Sequence, residues 1–416
     1  EDCGYWRVRG LAIMGADLAS DQGGLWRSPI TVGGSHHIEL RQILASHTNR
    51  YYNEHAAIIS GTEDILVEDV EVHDFFRSGF AFYRTNRATC RRCYGNSHEV
   101  ADLPACPDLP DCPDKTVVGT TDCPKCSGDP ERGDATFYIE HSNDFLCENC
   151  VSEGSRRGYH VVGGIGIDGE RAGSGIRILE SVSIGDVTGI EFESNADNIP
   201  SRGAELVDFV AIAPGELGVR IEDPDGLVLR HVTVVQPGGD GIAGREVTPE
   251  RCLDGACSLT LDHVLVVGAG EDGIQISGPI DTWSVEWSNA FGSAGEDYVY
   301  PDIDTDAFDD RAGNARLNRS EAATLVGLDR ELCLVYVPEE SNMHDVAGDG
   351  LDIGANVTNL LIDGVASGEA LWATDGAFPC GPDPAAPPPI AGQRCLDLAE
   401  RTSVGTTACP APAPRG

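Results

Sequence analysis

The chain has 416 residues, with 29 basic against 68 acidic side chains and a formal net charge of −39. Such a surface repels nucleic acid and anionic membranes and suits calcium, cationic partners or high salt. No apolar run reaches the roughly 18–20 residues of a membrane span. Fifty glycines and only 6% aromatic residues suit many tight turns around a narrow aliphatic core. The only lysines are Lys115 and Lys125, so arginine carries nearly all the positive charge. A GC-rich genome or a halophilic habit accounts for that bias.

The chain opens on Glu1-Asp2-Cys3 with no signal sequence, which reads as a processed piece of a longer chain. From Val8 onward one phrase repeats: two apolar residues three apart, a short polar turn, then Gly-apolar-x-apolar. The first half of the phrase occurs at Val8/Leu11, Leu40/Ile43, Val67/Val70, Cys90/Cys93, Cys147/Cys150, Leu206/Phe209, Leu229/Val232, Leu261/Val264 and Ile362/Val365, with weaker copies at Ile178/Ser181 and Val285/Ser288. The second half occurs at Gly79-Phe80-Ala81-Phe82, Gly189-Ile190-Glu191-Phe192, Gly218-Val219-Arg220-Ile221, Gly273-Ile274-Gln275-Ile276 and Gly350-Leu351-Asp352-Ile353. Short strands recurring mostly every 23 to 32 residues predict a solenoid. About eleven coils, at about 4.8 Å each, make a rod of roughly 50 Å.

In chain order, residues 1–97 hold the first coils, and residues 97–133 form a Cys-rich insertion without periodicity. Coils resume at Ala135 and run to about Val299. An acidic loop occupies 300–331, with Ser320-Glu321-Ala322-Ala323 able to open a helix, and the last coils end near Ala366. Residues 367–416 are Pro- and Gly-rich and read as a C-terminal cap leading into a linker.

These phrases resemble the right-handed parallel β-helix proteins, namely the pectin-lyase-like superfamily and the NosD-type β-helix repeats. The resemblance covers roughly residues 1–366. It implies an all-β, single-stranded right-handed parallel β-helix, and the crossover rule for parallel strands gives the same hand. The family's functions range over lyases, hydrolases, epimerases, adhesins and inert stalks, so the fold alone selects none of them.

Aligning coils places Cys90 beside Cys147 and Cys93 beside Cys150, about 4.8 Å apart. Three readings stay open: buried free thiols, two inter-coil disulfides, and a zinc site with four cysteine ligands. In the insertion, Cys106, Cys112, Cys123 and Cys126 read as disulfide staples, with zinc as the second reading. Cys252 and Cys257 are expected to close a small loop. Fifteen cysteines point to an oxidising, extracytoplasmic compartment.

Stacking the Gly-led strands predicts an outward ladder of Ala81, Tyr138, His160, Glu191, Arg220, Ala243 and Gln275. A second row runs Tyr83, Glu140, Val162, Glu193, Glu222, Arg245 and Ser277. The resemblance implies that such an exposed sheet face serves as a polysaccharide groove. On that reading Tyr138 and His160 supply acid and base, Glu191 orients them, and Arg220 clamps a uronate carboxylate. Tyr83, Glu140, Arg156, Arg157, Glu193, Glu222 and Arg245 would then bind substrate. The competing reading is a solvated face of favourable cross-strand pairs. Carboxylates at Asp240, Asp272 and Asp349 precede glycines. The hydrolase signatures Gly-His-Gly and Asn-Thr-Asp-Gly are absent, so these read as turn residues. The alternating Asp302, Asp304, Asp306 and the nearby Asp309 suggest a nonstandard calcium loop or a solvated acidic segment. No phosphate loop, zinc-protease motif or serine-nucleophile motif occurs.

The sequence thus predicts a secreted or cell-surface β-helix protein that binds or cleaves a polysaccharide on its sheet face. The rival is a non-catalytic stalk, adhesin or fibre subunit.

Overall fold

The computed structural model describes residues 3–14, 28–46, 55–97, 133–165, 171–194, 201–244, 257–300 and 337–370, apart from a few positions within these ranges, with Cys252 and some positions near 320. Two long parallel sheets run through them. One follows Cys3–Met14, Ser35–Ser46, Glu63–His73, Asn86–Arg91, Leu146–Glu148, Arg177–Ile184, Glu205–Ile212, Asp225–Val235, Ser258–Asp262 and Thr282–Glu286. The other follows Ile30–Gly33, His55–Ser60, Ser78–Tyr83, Ala135–Glu140, Arg157–Val162, Thr188–Glu193, Leu217–Ile221, Ile242–Gly244, Ile274–Ile276 and Tyr298–Val299. The chain alternates between the sheets coil by coil, which is the topology of a parallel β-helix. The crossover rule makes it right-handed.

The three-residue spacing of the apolar pairs has a local cause. Side chains alternate along a strand, so inward residues should be two apart. In each coil the third residue of the phrase instead takes a left-handed backbone. These are Gln42, Asp69, Arg92, Asn149, Glu180, Asp208, His231, His263 and Trp287, with φ between 40° and 56°, and Gly10 at 72°. That one residue turns a corner and brings both flanking side chains inside, except in the first coil, where Leu11 is exposed. Few non-glycine residues adopt this conformation, yet here it recurs in every coil, and its side chains project from the corner.

The Gly-led strands owe their glycine to space. A Cβ on Gly158, Gly189, Gly218 or Gly241 would lie 2.5 Å from the carbonyl oxygen of the corresponding glycine one coil on. None of these four has a positive φ, so close approach of backbones selects glycine there. Inside, Phe80 stacks on Phe137 at 5.1 Å and Phe137 on Tyr159 at 4.8 Å. The Tyr159 hydroxyl donates to the Cys150 carbonyl at 2.8 Å. Outside the first sheet, Arg41, Glu68, Arg91 and Glu148 alternate in sign on successive coils. Arg91 pairs with Glu148, and its Nη1 lies 3.2 Å from Glu68. Buried ion pairs contribute little net stability, but here they penalise any slip of one coil against the next.

The final phrase departs from expectation. Ile362 and Val365 do not form an eleventh coil; they pair antiparallel as a hairpin, Asn359–Ile362 with Val365–Ala370. The intervening Asp363 and Gly364 have φ of 53° and 75°, the pair of left-handed residues that a tight two-residue hairpin requires. Gly350-Leu351-Asp352-Ile353 likewise is not a strand. Leu351 is exposed, and Ile353 packs with Leu265, Val337 and Met343 outside the coil core.

The cysteine register holds, with Cys147 opposite Cys90. The bridges, however, do not run between coils. Cys90 closes on Cys93 and Cys147 on Cys150, each with a Cα separation of 6.2 Å. The left-handed corner turns both sulfurs of one coil inward, at a span a disulfide accepts. Cys252 and Cys257 are bridged as expected. Cys106, Cys112, Cys123 and Cys126 lie outside the described residues, as do Asp302, Asp304, Asp306, Asp309, Asp349 and Arg245.

Candidate functional site

The outward ladder forms in the expected register. Ala81 pairs with Tyr138, Tyr138 with His160, His160 with Glu191, and Glu191 with Arg220. Ala243 and Gln275 continue it. In the second row, Tyr83, Glu140, Val162 and Glu193 stand side by side. Arg156 is exposed in the turn before this face.

The side chains of the ladder engage one another. One Glu191 carboxylate oxygen accepts from Arg157 Nε, and the other lies 3.3 Å from Arg220 Nη1. Arg157 reaches further to Asp134 at 2.7 Å, and Arg220 to Glu222 at 2.6 Å. His160 Nε2 is 2.6 Å from Glu193. The His160 ring meets Tyr138 edge-on at 4.9 Å, and Tyr138 lies 5.3 Å from Tyr83. The Tyr83 hydroxyl is 3.3 Å from His55 Nε2. His160 and Glu191 are only 4% and 3% exposed, so the centre of the ladder is closed to solvent.

Titration follows from this closure. Burial holds the Tyr138 and Tyr83 phenols well above their ordinary value, with Glu140 adding to both. Both stay protonated at neutral pH, so neither serves as a resting base. Burial and the Arg77 charge depress His55 to about 3, and the imidazole is neutral. Burial also raises the Glu222 carboxyl. For Arg157, burial opposes the charge, but Glu191 and Asp134 outweigh it and raise the value.

Ligand atoms of His160, Glu191 and Glu193 lie within 4.8 Å of one another. A cation there would have to displace the guanidiniums of Arg157 and Arg220 from Glu191. The neighbouring hollow, lined by Phe192, Glu193, Ser201 and Glu222 among others, measures about 10 Å³, room for about one water molecule. Asp240 and Asp272 are turn residues as expected. Asp240 accepts the Asp272 backbone N–H at 2.9 Å, and Asp272 accepts that of Glu296 at 2.9 Å.

No family model matches the chain, and no curated protein matches it. Among solved structures it is similar to PfbA, a surface adhesin of Streptococcus pneumoniae, at 10% identity and a TM-score of 0.42, over 71% of each chain.

One contact surface was missed by sequence reasoning. The described residues of 352–364 form a strap along the flank of the rod, crossing six coils and held largely by the corner residues. Gly354 N–H donates to the His263 carbonyl at 2.9 Å, and His231 Nδ1 lies 3.1 Å from the Asp352 carbonyl. Asp208 accepts from Asn356 N–H at 3.1 Å, and Glu180 from Asn359 N–H at 2.9 Å. Asn149 accepts from Leu361 N–H at 2.8 Å, and Glu148 from Asp363 and Gly364 N–H at 3.0 and 2.7 Å. Arg91 pairs with Asp363. Beneath the strap, Ala355 and Val357 cover Tyr94, Val151, Val182 and Val210. The available signal was this outward apolar row, one residue after each second apolar position. Burial raises Asp208, and it raises Glu180 to about 7.

Proposed function

We propose that the chain is a non-catalytic β-helical rod, secreted or displayed at the cell surface, whose faces serve for adhesion or as a stalk. The observation that carries this reading is the closure of the ladder. Its carboxylates, guanidiniums and imidazole bind one another, two of its groups are almost fully buried, and the described hollow beside it is too small for a sugar ring. A hydrolase or lyase needs an acid and a base that reach the substrate. The three disulfides among the described residues favour an extracytoplasmic place. The charge of −39 favours neutral glycans or cationic partners over uronate polymers. No helix among the described residues is long and apolar enough to cross a membrane.

A depolymerisation screen over neutral and acidic polysaccharides, with and without calcium, tests the reading. Neither reducing ends nor unsaturated products are expected, while retention on immobilised neutral glycan or cationic protein is. Turnover that disappears in both His160→Ala and Glu191→Ala would overturn it in favour of a polysaccharide enzyme.

A further inference from the structure

Several coils fill the two inward positions of the apolar pair with aliphatic side chains, such as Val67 and Val70 or Leu229 and Val232, all fully buried. Packing therefore does not demand sulfur there. Two adjacent coils nevertheless carry cysteine at both positions, in register, with Cys147 opposite Cys90. All four are at most 1% exposed. The sulfurs of Cys90, Cys93 and Cys150 lie within 4.8 Å of one another. Cys147 completes the set from the Cys150 side, with a Cα separation of 6.2 Å.

We propose that Cys90, Cys93, Cys147 and Cys150 form, when reduced, a four-thiolate site for a tetrahedral thiophilic dication such as Zn²⁺. Zinc–sulfur bonds of about 2.3 Å place tetrahedral sulfurs about 3.8 Å apart. The sulfurs of Cys90, Cys93 and Cys150, already within 4.8 Å of one another, need only small shifts to reach that separation, and Cys147 must swing in from the Cys150 side to supply the fourth. Each Cys-x-x-Cys carries a left-handed residue, Arg92 or Asn149, which directs both of its sulfurs to the inner side. The two pairs then act as two facing clips on one ion.

The disulfide and metal states exclude each other. Reduction by a phosphine takes one phosphine and one water per bridge. The phosphine supplies two electrons and becomes its oxide with the water oxygen, and the two water protons go to the sulfurs. Zn²⁺ then replaces the four thiol protons, which leave to solvent. Because the site is closed in the folded rod, the ion enters as the coils form, and binding couples to folding.

Cobalt(II) is the probe. The full chain is unfolded in urea with a phosphine and refolded with Co²⁺. Three forms are compared: the natural chain, an insertion variant with Cys106, Cys112, Cys123 and Cys126 each changed to Ser, and that variant with Cys90, Cys93, Cys147 and Cys150 each changed to Val. Valine occupies both positions in the preceding coil, at Val67 and Val70, so the rod should still fold. Tetrahedral d–d bands and a thiolate charge-transfer band, at one ion per chain, are expected in the insertion variant and absent after the valine changes. Absence of the bands from the folded insertion variant, or their persistence after the valine changes, overturns the proposal. If the fourfold valine form does not fold, Cys147→Val alone decides. At least a tenfold weaker Co²⁺ affinity with shifted d–d bands supports the site, and unchanged binding refutes it.

Discussion

Gly218→Ala probes the packing of one coil on the next. A Cβ at Gly218 would sit 2.4 Å from Val234 Cγ1 and 2.5 Å from the Gly241 carbonyl oxygen. The same oxygen accepts the Val219 N–H at 3.0 Å, and the Gly218 N–H reaches the Asp240 carbonyl at 3.2 Å. Relieving the clash to an ordinary contact of about 3.4 Å opens the coils by roughly 0.9 Å, which weakens both hydrogen bonds, each worth about 1 kcal/mol. Overpacking adds about 1–3 kcal/mol, and the stiffer unfolded chain returns about 0.4–1 kcal/mol. The net loss is about 2–4 kcal/mol. Gly215 is the control on the same coil. Its nearest neighbour to a built Cβ is Val187 Cα at 3.4 Å, and its φ is not positive. Gly215→Ala should be neutral or slightly stabilising. Urea unfolding followed by circular dichroism measures both. Equal midpoints for the two variants would refute the close-approach argument.

The strap supplies further expectations. Glu180 has a folded value near 7 against an ordinary value of about 4.3, so its contribution to stability is complete below the ordinary value and is lost as pH rises towards 7. Glu180→Gln keeps an acceptor for Asn359 and should flatten the fall in urea midpoint between pH 5 and 7.5; an unchanged slope would assign the dependence elsewhere. Val357→Asp places a carboxylate against Tyr94, Val151 and Val182 and should cost more than about 2 kcal/mol. It should also produce binding of a hydrophobic dye at native pH, whereas a dye-silent variant of unchanged stability would mean that the strap does not cover that row. Arg157→Met leaves Glu191 with Arg220 alone. Loss of a buried partner typically costs about 3–5 kcal/mol, and a thermal melt within a degree of the natural chain would contradict the closed ladder.

The coils were legible because one spacing encoded them. Apolar residues three apart, one pair per repeat and followed by a Gly-led alternating strand, do not fit a plain strand, and a left-handed corner accounts for them in the described coils. The outward ladder followed from the same register, so Tyr138, His160, Glu191 and Arg220 were found in their places. Their closure was not legible. Whether Arg157 turns to Glu191 or to solvent depends on side-chain geometry that periodicity does not carry. The inter-coil bridges, one of three readings for Cys90, Cys93, Cys147 and Cys150, failed for a related reason, since neighbours along a coil and across coils lie at similar distances and only the corner's direction decides. The hairpin at Ile362 and Val365 shares the apolar spacing of a coil, but Asp363-Gly364 supplies two left-handed residues where a coil corner has one. That dipeptide was the available warning.

The strap changes how the rod should come apart. A solenoid with contacts only between adjacent repeats frays from its ends, one coil at a time. Here a segment more than 200 positions away in sequence, with Leu361 held by Asn149 and Asp363 by Glu148, ties six coils to one another. Those coils are bound into a single cooperative unit, and their backbone amides should exchange with solvent together. Such distant closure also slows folding, because the clasp can form only after the coils beneath it have stacked. The first three coils, with strands Cys3–Met14, Ser35–Ser46 and Glu63–His73, lie beyond its reach and remain free to open alone.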